Sequence, residues 1–245
     1  MKKLSVLFLL VILATPAFAS DVLVRVKTHS DAIVVGGQSQ PARDDATEQW
    51  YADGKTAQSG RDGGLIVDLG NNIAYIVNHL DKSYVPLPLP MDITKVLPPE
   101  VQSMAPMMQM TATVTPTAET KKVGAWTCKG YDVALTVMGM PMNMRVWAST
   151  EVPAALVDFS AKVTPAFLQG QMRLTDESLK EFAKIQGFNV ASELTADIMG
   201  ARLHTTTEVT DILEKDAPAG TFAPPAGYTK KATMSLQDLQ GLQRR

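Results

Sequence analysis

The chain has 245 residues, a formal net charge of −2 and one cysteine, Cys128. Acidic and basic residues are balanced and no basic patch is present, which excludes the electrostatic footprint of a nucleic-acid-binding protein. One cysteine excludes an intrachain disulfide framework. The length is sufficient for one large hydrophobic core without such cross-links.

The first 19 residues have the composition of a secretory signal peptide. Lys2 and Lys3 precede an apolar run, which ends before the small-residue site Ala17-Phe18-Ala19. This order is typical of a cleaved export signal. We expect cleavage after Ala19, which leaves residues 20–245 as a single domain exported to the periplasm. No cysteine stands directly after the cleavage site, so no lipid anchor is expected. No later stretch reaches the roughly 18 apolar residues of a membrane span.

Residues 21–85 are predicted to form a β-meander. Val22, Val24 and Val26 recur at every second position, the period of a half-buried strand. Asp53-Gly54 is a strong signal for a tight hairpin turn, and similar turns are expected at residues 70–72 and 79–82. Because the connections are too short for parallel crossovers, we expect an antiparallel sheet.

Three helical segments are predicted after the meander, over residues 92–108, 153–169 and 176–186. Pro98-Pro99 interrupts the first of them and can start a new helix. Capping residues and helical spacing of apolar residues mark them. Phe159 faces inward in the second helix, and Gly187 ends the third.

Further strands are expected at residues 111–117, 125–137 and 142–149, where Thr, Val, Tyr and Trp are dense. Residues 189–213 should return to strands with a turn near Gly200. A proline-rich loop and a short helix from about Ser235 follow.

Motifs that carry chemistry are weak in this chain. The three histidines have no second His or Cys at the spacing of a zinc site. The segment His29-Ser30-Asp31 contains the residue types of a hydrolytic triad, but a triad is defined by its geometry in space. The glycine-rich segment 59–64 leads into a strand, whereas a phosphate-binding loop should open a helix. We therefore expect a protein that is not an enzyme and has no cofactor.

Two short segments, "MAPMMQM" and "MGMPMNM", hold eight of the 13 methionines. Thioether sulfur is a ligand that copper(I) prefers, and the alternating spacing suits that ion. The copper alternative would use Met138, Met140, Met142 and Met144. Against it, Gly139 and Pro141 indicate a hairpin tip. Methionine is also the adaptable residue of apolar cores and pockets, and that interpretation is favoured here.

The segments "QWYADGKTAQSGRDGGLIVDLGNNIAYIVNHLDKSYVPLP", "KKVGAWTCKGYDVALTV" with "MRVWAS", and "GTFAPPAGY" carry a family resemblance. Together they resemble an uncharacterised group of exported bacterial proteins, known as a domain of unknown function. That group is distantly similar to the periplasmic lipoprotein-carrier and lipoprotein-sorting proteins. The resemblance implies a strand-dominated α+β fold, in which a curved antiparallel β-sheet forms a half-barrel with helices covering its concave face.

In the carrier proteins, the space between sheet and helices accepts acyl chains. The expected function is therefore binding of a hydrophobic or lipidated ligand, or of an envelope partner. The candidate lining residues are Met104, Met108, Met142, Met144 and Trp147. A structural envelope protein without a small ligand is the remaining alternative, and a fully packed space between sheet and helices would favour it.

Overall fold

The computed structural model describes residues 21–102, 110–137, 139–162, 164 and 174–235. In chain order its strands are β1 (Val22–Ser30), β2 (Ile33–Val35), β3 (Gln38–Gln40), β4 (Arg43–Ala52), β5 (Lys55–Ser59), β6 (Gly63–Asp68), β7 (Ile73–Asn78), β8 (Ser83–Pro88), β9 (Met110–Val123), β10 (Trp126–Val137), β11 (Met140–Ser149), β12 (Phe188–Ile198), β13 (Ala201–Glu214) and β14 (Thr229–Lys230). Twelve of these strands form one open sheet, ordered β14-β8-β7-β6-β5-β4-β1-β13-β12-β11-β10-β9.

The prediction of a strand-dominated fold on a large antiparallel sheet is confirmed. Neighbouring strands pair antiparallel, except that the two-residue strand β14 pairs parallel with β8. The predicted hairpin turns at residues 53–54 and near Gly200 also occur, where Gly54 and Gly200 both adopt positive φ. The remaining pair, β2 and β3, forms a separate two-stranded sheet.

Helices are short in the described part of the chain. They are α1 (Pro99–Gln102), α2 (Ala154–Lys162) and α3 (Asp176–Phe182), with a 3₁₀ turn at Ile93–Val96. None of these helices is long and apolar enough to cross a membrane. The predicted interruption at Pro98-Pro99 is confirmed, since the 3₁₀ turn ends at Val96 and α1 begins at Pro99. Residues 103–109 lie outside the described residues, as does the terminal helix expected from about Ser235.

The third predicted helix ends four residues early. Two backbone bonds, from Lys184 N–H to Glu181 O and from Ile185 N–H to Phe182 O, span three residues each. Such bonds replace the four-residue spacing of an α-helix with a tighter 3₁₀ turn. The segment 183–186 therefore forms a turn after α3 and is not part of the α-helix.

One face of the sheet, which we call the helix face, packs against α2. It carries alternate residues of the central strands, including Val24 of β1, Tyr51 of β4 and Val209 of β13. Leu156 of α2 is completely buried among them. Because side chains of a strand alternate between faces, these residues form one continuous apolar layer.

The opposite face, which we call the loop face, is covered at one end by the proline-rich closing segment. Leu23 and Trp50 pack there against Phe222 and Tyr228. This loop covers the loop face where a helix layer could otherwise pack. Residues of the first meander around Trp50 are therefore buried on both faces of the sheet.

Strand β1 lies in the middle of the sheet. It pairs with β4 on one side and with β13 on the other, with Val22 opposite both Tyr51 and Glu214. The two meanders β4–β8 and β9–β13 are thus joined through the first strand of the chain.

Candidate ligand cavity

A cavity of about 550 Å³ lies on the helix face, between the sheet and the helices α2 and α3. Its volume falls in the range of small-molecule pockets, about 300–1,000 Å³. Five strands supply the apolar wall through Val26, Leu65, Met144, Val146, Val190 and Val209. The helical segments contribute Phe159 and Ala161 from α2 and Phe182 from α3.

An aromatic cluster centred on Tyr51 holds α2 beside the cavity. The Phe159 ring packs edge-on against Tyr51, with centroids 4.7 Å apart. Phe188 at the start of β12 makes a second edge-on contact with Tyr51, at 5.9 Å. Such pairs are favourable because the positive ring edge meets the negative ring face. The inward position predicted for Phe159 is confirmed.

Helix α3 closes the edge of the sheet next to the cavity. Strand β9 is the last strand, and the N–H groups of Ala112 and Val114 face away from β10. They donate to Ser178 Oγ at 2.9 Å and to Glu181 Oε2 at 2.8 Å. Side chains of α3 therefore take the part of a thirteenth strand and satisfy an edge that would otherwise be open to pairing.

The approach of the chain from α3 into β12 depends on Gly187. Its φ is +97°, in the region that favours glycine. A Cβ at this position would lie 2.4 Å from the carbonyl oxygen of Ser149, the last residue of β11. Glycine thus allows the backbone to pass against the end of β11, and Gly187 itself lines the cavity.

Polar side chains gather at one corner of the cavity. Tyr51 Oη donates to Gln49 Oε1 at 2.6 Å. Burial raises the pKa of Tyr51 far above its ordinary value, so its hydroxyl remains a donor. This bond engages the carbonyl oxygen of Gln49, and among the described residues its amide N–H groups have no acceptor. Gln58 is the direct cross-strand partner of Gln49 and also lines the cavity.

Among the described residues that line the cavity, none is Asp, Glu, Lys, Arg or His. An ionised group buried there would lose its hydration without gaining a counter-charge, which costs free energy. The cavity is thus suited to apolar matter, with amide and hydroxyl groups at one corner for a hydrogen-bonding ligand.

The five predicted lining residues have different positions. Met144 lines the cavity. Met142 lies on the same face of β11 but packs in the neighbouring cluster with Leu174 and Leu179, outside the lining. Trp147 does not line the cavity: it lies on the loop face, because odd-numbered residues of β11 point there together with Arg145. Met104 and Met108 lie outside the described residues.

The predicted tip between β10 and β11 is confirmed at Gly139, which has a φ of +78°. Pro141, which was also assigned to the tip, is instead paired with Thr136 inside the hairpin. Of the copper candidates, Met138 lies outside the described residues, whereas Met140, Met142 and Met144 alternate on one face of β11.

The aromatic and polar lining was missed from the sequence. Gln49 and Tyr51 occur at alternate positions of a predicted strand, a signal that they share a face. Which face meets the helices depends on the pairing of β1 with β13, a contact between opposite ends of the chain.

A second recess, about 680 Å³ in volume, lies on the loop face and differs in chemistry. We call it the polar groove. Its lining includes Lys27, Lys121 and Glu208, with Trp147 at one side. The Lys121 ammonium and the Arg145 guanidinium each lie 5.6 Å from the Trp147 ring centroid. Trp147 thus serves as a platform for cations on this face.

The chain matches no protein-family model, and no curated protein is significantly similar to it. The resemblance to exported proteins of the carrier type therefore stays a prediction.

Proposed function

We propose that the protein is a non-enzymatic binding protein of the periplasm, which holds an uncharged hydrophobic molecule or the apolar part of a lipidated one. The observation that carries this proposal is the cavity of about 550 Å³ between the sheet and the helices α2 and α3. A purely structural protein would fill this space with side chains, because protein interiors are close-packed.

The chemistry of the lining supports this ligand class. Valines and phenylalanines offer apolar contact, and Met144 can adapt to ligands of different shape. The free amide groups of Gln49 and Gln58 can donate to one carbonyl oxygen, such as that of an ester or amide. A catalytic role is disfavoured because the described lining lacks an acid, a base or a thiol nucleophile.

The finer architecture belongs to the same proposal. A twelve-stranded open antiparallel sheet can curve into a half-barrel, and the helix face would then be the concave side that α2 and α3 cover. Export to the periplasm rests on the leader-like composition of residues 1–19.

The proposal is tested with protein purified from the exporting cell. Organic extraction followed by mass spectrometry should recover a co-purifying apolar molecule, and the stripped protein should bind the neutral fluorescent dye N-phenyl-1-naphthylamine in competition with it. Bare protein together with absent dye binding would refute the proposal and favour a structural role.

A matched pair of variants tests the location. Ala155 and Ala161 are both exposed residues of α2. Of the two, Ala161 lines the cavity and Ala155 does not. Ala161→Trp should fill the space and weaken dye binding at least about tenfold, the equivalent of 1.4 kcal/mol. Ala155→Trp adds the same ring outside the cavity and should leave binding unchanged. Equal effects of the two substitutions would place the binding site elsewhere.

A further inference from the structure

Five side chains on the loop face form a chain in which carboxylates and imidazoles alternate. We call it the acid–histidine chain, and its order is Asp44, His29, Asp31, His204, Glu193. It lies beside the polar groove, whose lining includes His29, Asp44 and Glu193. It is on the opposite side of the sheet from the proposed ligand cavity and is independent of the proposed function.

Four hydrogen bonds join the five groups. His29 Nδ1 lies 2.8 Å from Asp44 Oδ1, and His29 Nε2 lies 3.1 Å from Asp31 Oδ1. His204 Nδ1 lies 2.8 Å from Asp31 Oδ2, and His204 Nε2 lies 2.9 Å from Glu193 Oε1. Each imidazole is therefore bound at both ring nitrogens, and Asp31 is shared by both rings.

This geometry sets the protonation state. An ionised carboxylate only accepts hydrogen bonds, and a neutral imidazole has one N–H donor. All four bonds can form together only when His29 and His204 are both imidazolium ions. The surroundings favour that state: Asp44, then Asp31, raise the pKa of His29, and Asp31 and Glu193 raise the pKa of His204. His204 and His29 in turn lower the pKa of Asp31.

The acid–histidine chain joins both ends of the β2–β3 hairpin to the sheet. Asp31 lies two residues before β2, and Asp44 follows β3 at the start of β4. The N–H of Asp31 also donates to the carbonyl oxygen of His204 at 3.0 Å, which places the base of the hairpin on β13. Strands β2 and β3 pair with each other and lie outside the twelve-stranded sheet. The hydrogen bonds of the acid–histidine chain therefore help to fix the position of the hairpin against β13.

Other charged residues lie near the acid–histidine chain on the neighbouring strands. Glu193 lies opposite Arg145, which is itself bound to Asp132 at 2.6 Å and to Glu119 at 2.8 Å. On the same face, Lys27, Asp197, Arg202 and Glu208 lie on the adjoining strands and Lys121 lines the polar groove, whereas Arg43 and Asp45 pair with each other. Among the described residues, the cations bound to Asp44, Asp31 and Glu193 are the two imidazolium ions, so the acid–histidine chain depends on these two charges.

We propose that the acid–histidine chain is a proton-operated clasp: two bound protons hold the β2–β3 hairpin against β13, and their loss releases it beside the polar groove. The sign follows from linkage, because the folded histidine pKa values are raised. The stabilisation is complete below the ordinary histidine pKa, about 6.5, and is lost as pH rises through the raised values. Within that window, the opening equilibrium should increase by up to about tenfold per pH unit for each histidine.

The protonation step is tested by NMR titration of the imidazole nitrogens in the purified protein, with EDTA in every sample. Within the described part of the chain no three His, Cys, Asp or Glu side chains are placed to hold a metal ion, so the titration should report protons. The resonances of His29 and His204 should titrate above pH 6.5, the ordinary value. In Asp31→Asn, which removes the shared carboxylate, the pKa values of His29 and His204 should fall together.

The release step is tested by hydrogen exchange from pH 6 to 9, corrected for the intrinsic chemical rate at each pH. Amides of residues 33–40 should lose protection as pH rises, whereas those of β10 and β11 should not. Asp31→Asn should remove this difference, and Asp211→Asn, which takes a carboxylate from the same face beside Arg25, should preserve it. Ordinary, independent histidine pKa values, or protection of the hairpin that does not change with pH in the wild-type protein, would overturn the proposal.

Discussion

Phe159 of α2 and Tyr51 of β4 form an edge-to-face pair with an interplanar angle of 77°. The Tyr51 hydroxyl continues this contact to Gln49 at the polar corner of the cavity. One tyrosine therefore links the position of α2 to the orientation of the amide that a ligand would meet.

Truncation of this contact should affect stability and binding together. In Phe159→Ala we expect the free energy of unfolding to fall by about 2 kcal/mol, since a half-buried ring and its aromatic pair are lost. Dye binding should weaken as well, because α2 loses its anchor. Urea denaturation and dye titration measure the two effects. Phe222→Ala on the loop face is the control, which should lower stability alone; unchanged dye binding in Phe159→Ala would contradict the assigned role.

The seal between α3 and β9 can be tested at Ser178. Ser178→Ala leaves the Ala112 N–H buried without its acceptor, which should cost about 1–3 kcal/mol. We expect a lower urea midpoint and greater self-association, because part of an edge strand becomes available for pairing. Ser192→Ala on β12 is the control, with an expected change within about 0.5 kcal/mol. Equal midpoints for the two variants would argue against the seal.

A second test of the same seal uses pH. Lys184, together with the Val114 N–H, lowers the pKa of Glu181 below its ordinary value. The stability contributed by this carboxylate is present above the unfolded pKa of about 4.3 and is lost as pH falls through the lower folded value. Urea midpoints measured from pH 2.5 to 6 should therefore drop less steeply on the acid side in Glu181→Gln. An acid slope in Glu181→Gln equal to that of the wild-type protein would argue against this contribution of Glu181.

Two glycines separate backbone strain from steric contact. Gly139→Ala, at a φ of +78° with nothing near its Cβ, should cost about 1–2 kcal/mol. Gly187→Ala has the same kind of strain and adds a collision with Ser149 O, so its cost should be larger by at least about 1 kcal/mol. Thermal unfolding of both variants measures the difference. Similar melting temperatures would show that β11 and β12 move apart readily.

The methionines of β11 provide the test of copper(I). If Met142 and Met144 act as apolar fillers, then changing both to Leu should alter stability by less than about 1.5 kcal/mol. Anaerobic titration against a chromogenic copper(I) chelator should show no loss of affinity in the variant with Met138, Met140, Met142 and Met144 all changed to Leu. A large loss of affinity in that variant would support the copper alternative.

Local patterns in the sequence predicted the strands and turns well. The strand at Val22, Val24 and Val26 and the turn at Asp53-Gly54 depend on contacts within a few residues, and both are confirmed. The half-buried character expected of that strand is wrong at Leu23, which is completely buried on the loop face. The sheet order was not accessible in this way, because β1 pairs with β13 across nearly the whole chain.

The candidate site shows the same limit. Met144 lies on the cavity side of β11, a position that follows from alternation along one strand. Trp147 lies on the loop face with Arg145, outside the cavity, because it occupies an odd-numbered position of β11. Tyr51 and Gln49 were missed because their role depends on which face α2 covers, a property of tertiary packing.

The central place of β1 has a consequence for folding kinetics. The two meanders are joined only when β1 pairs with β13, for example Val22 with Glu214. Formation of the complete sheet therefore depends on a contact of very long sequence separation. Contacts of this kind slow folding because the loop entropy is lost before the pairing energy is gained. Each meander can form early as a local unit, with the β9 edge exposed until α3 has been synthesised. The slowest folding step should be the insertion of the first strand between two partly formed half-sheets. A chaperone that shields the edges of those half-sheets would raise the yield of native protein more than it would raise the folding rate.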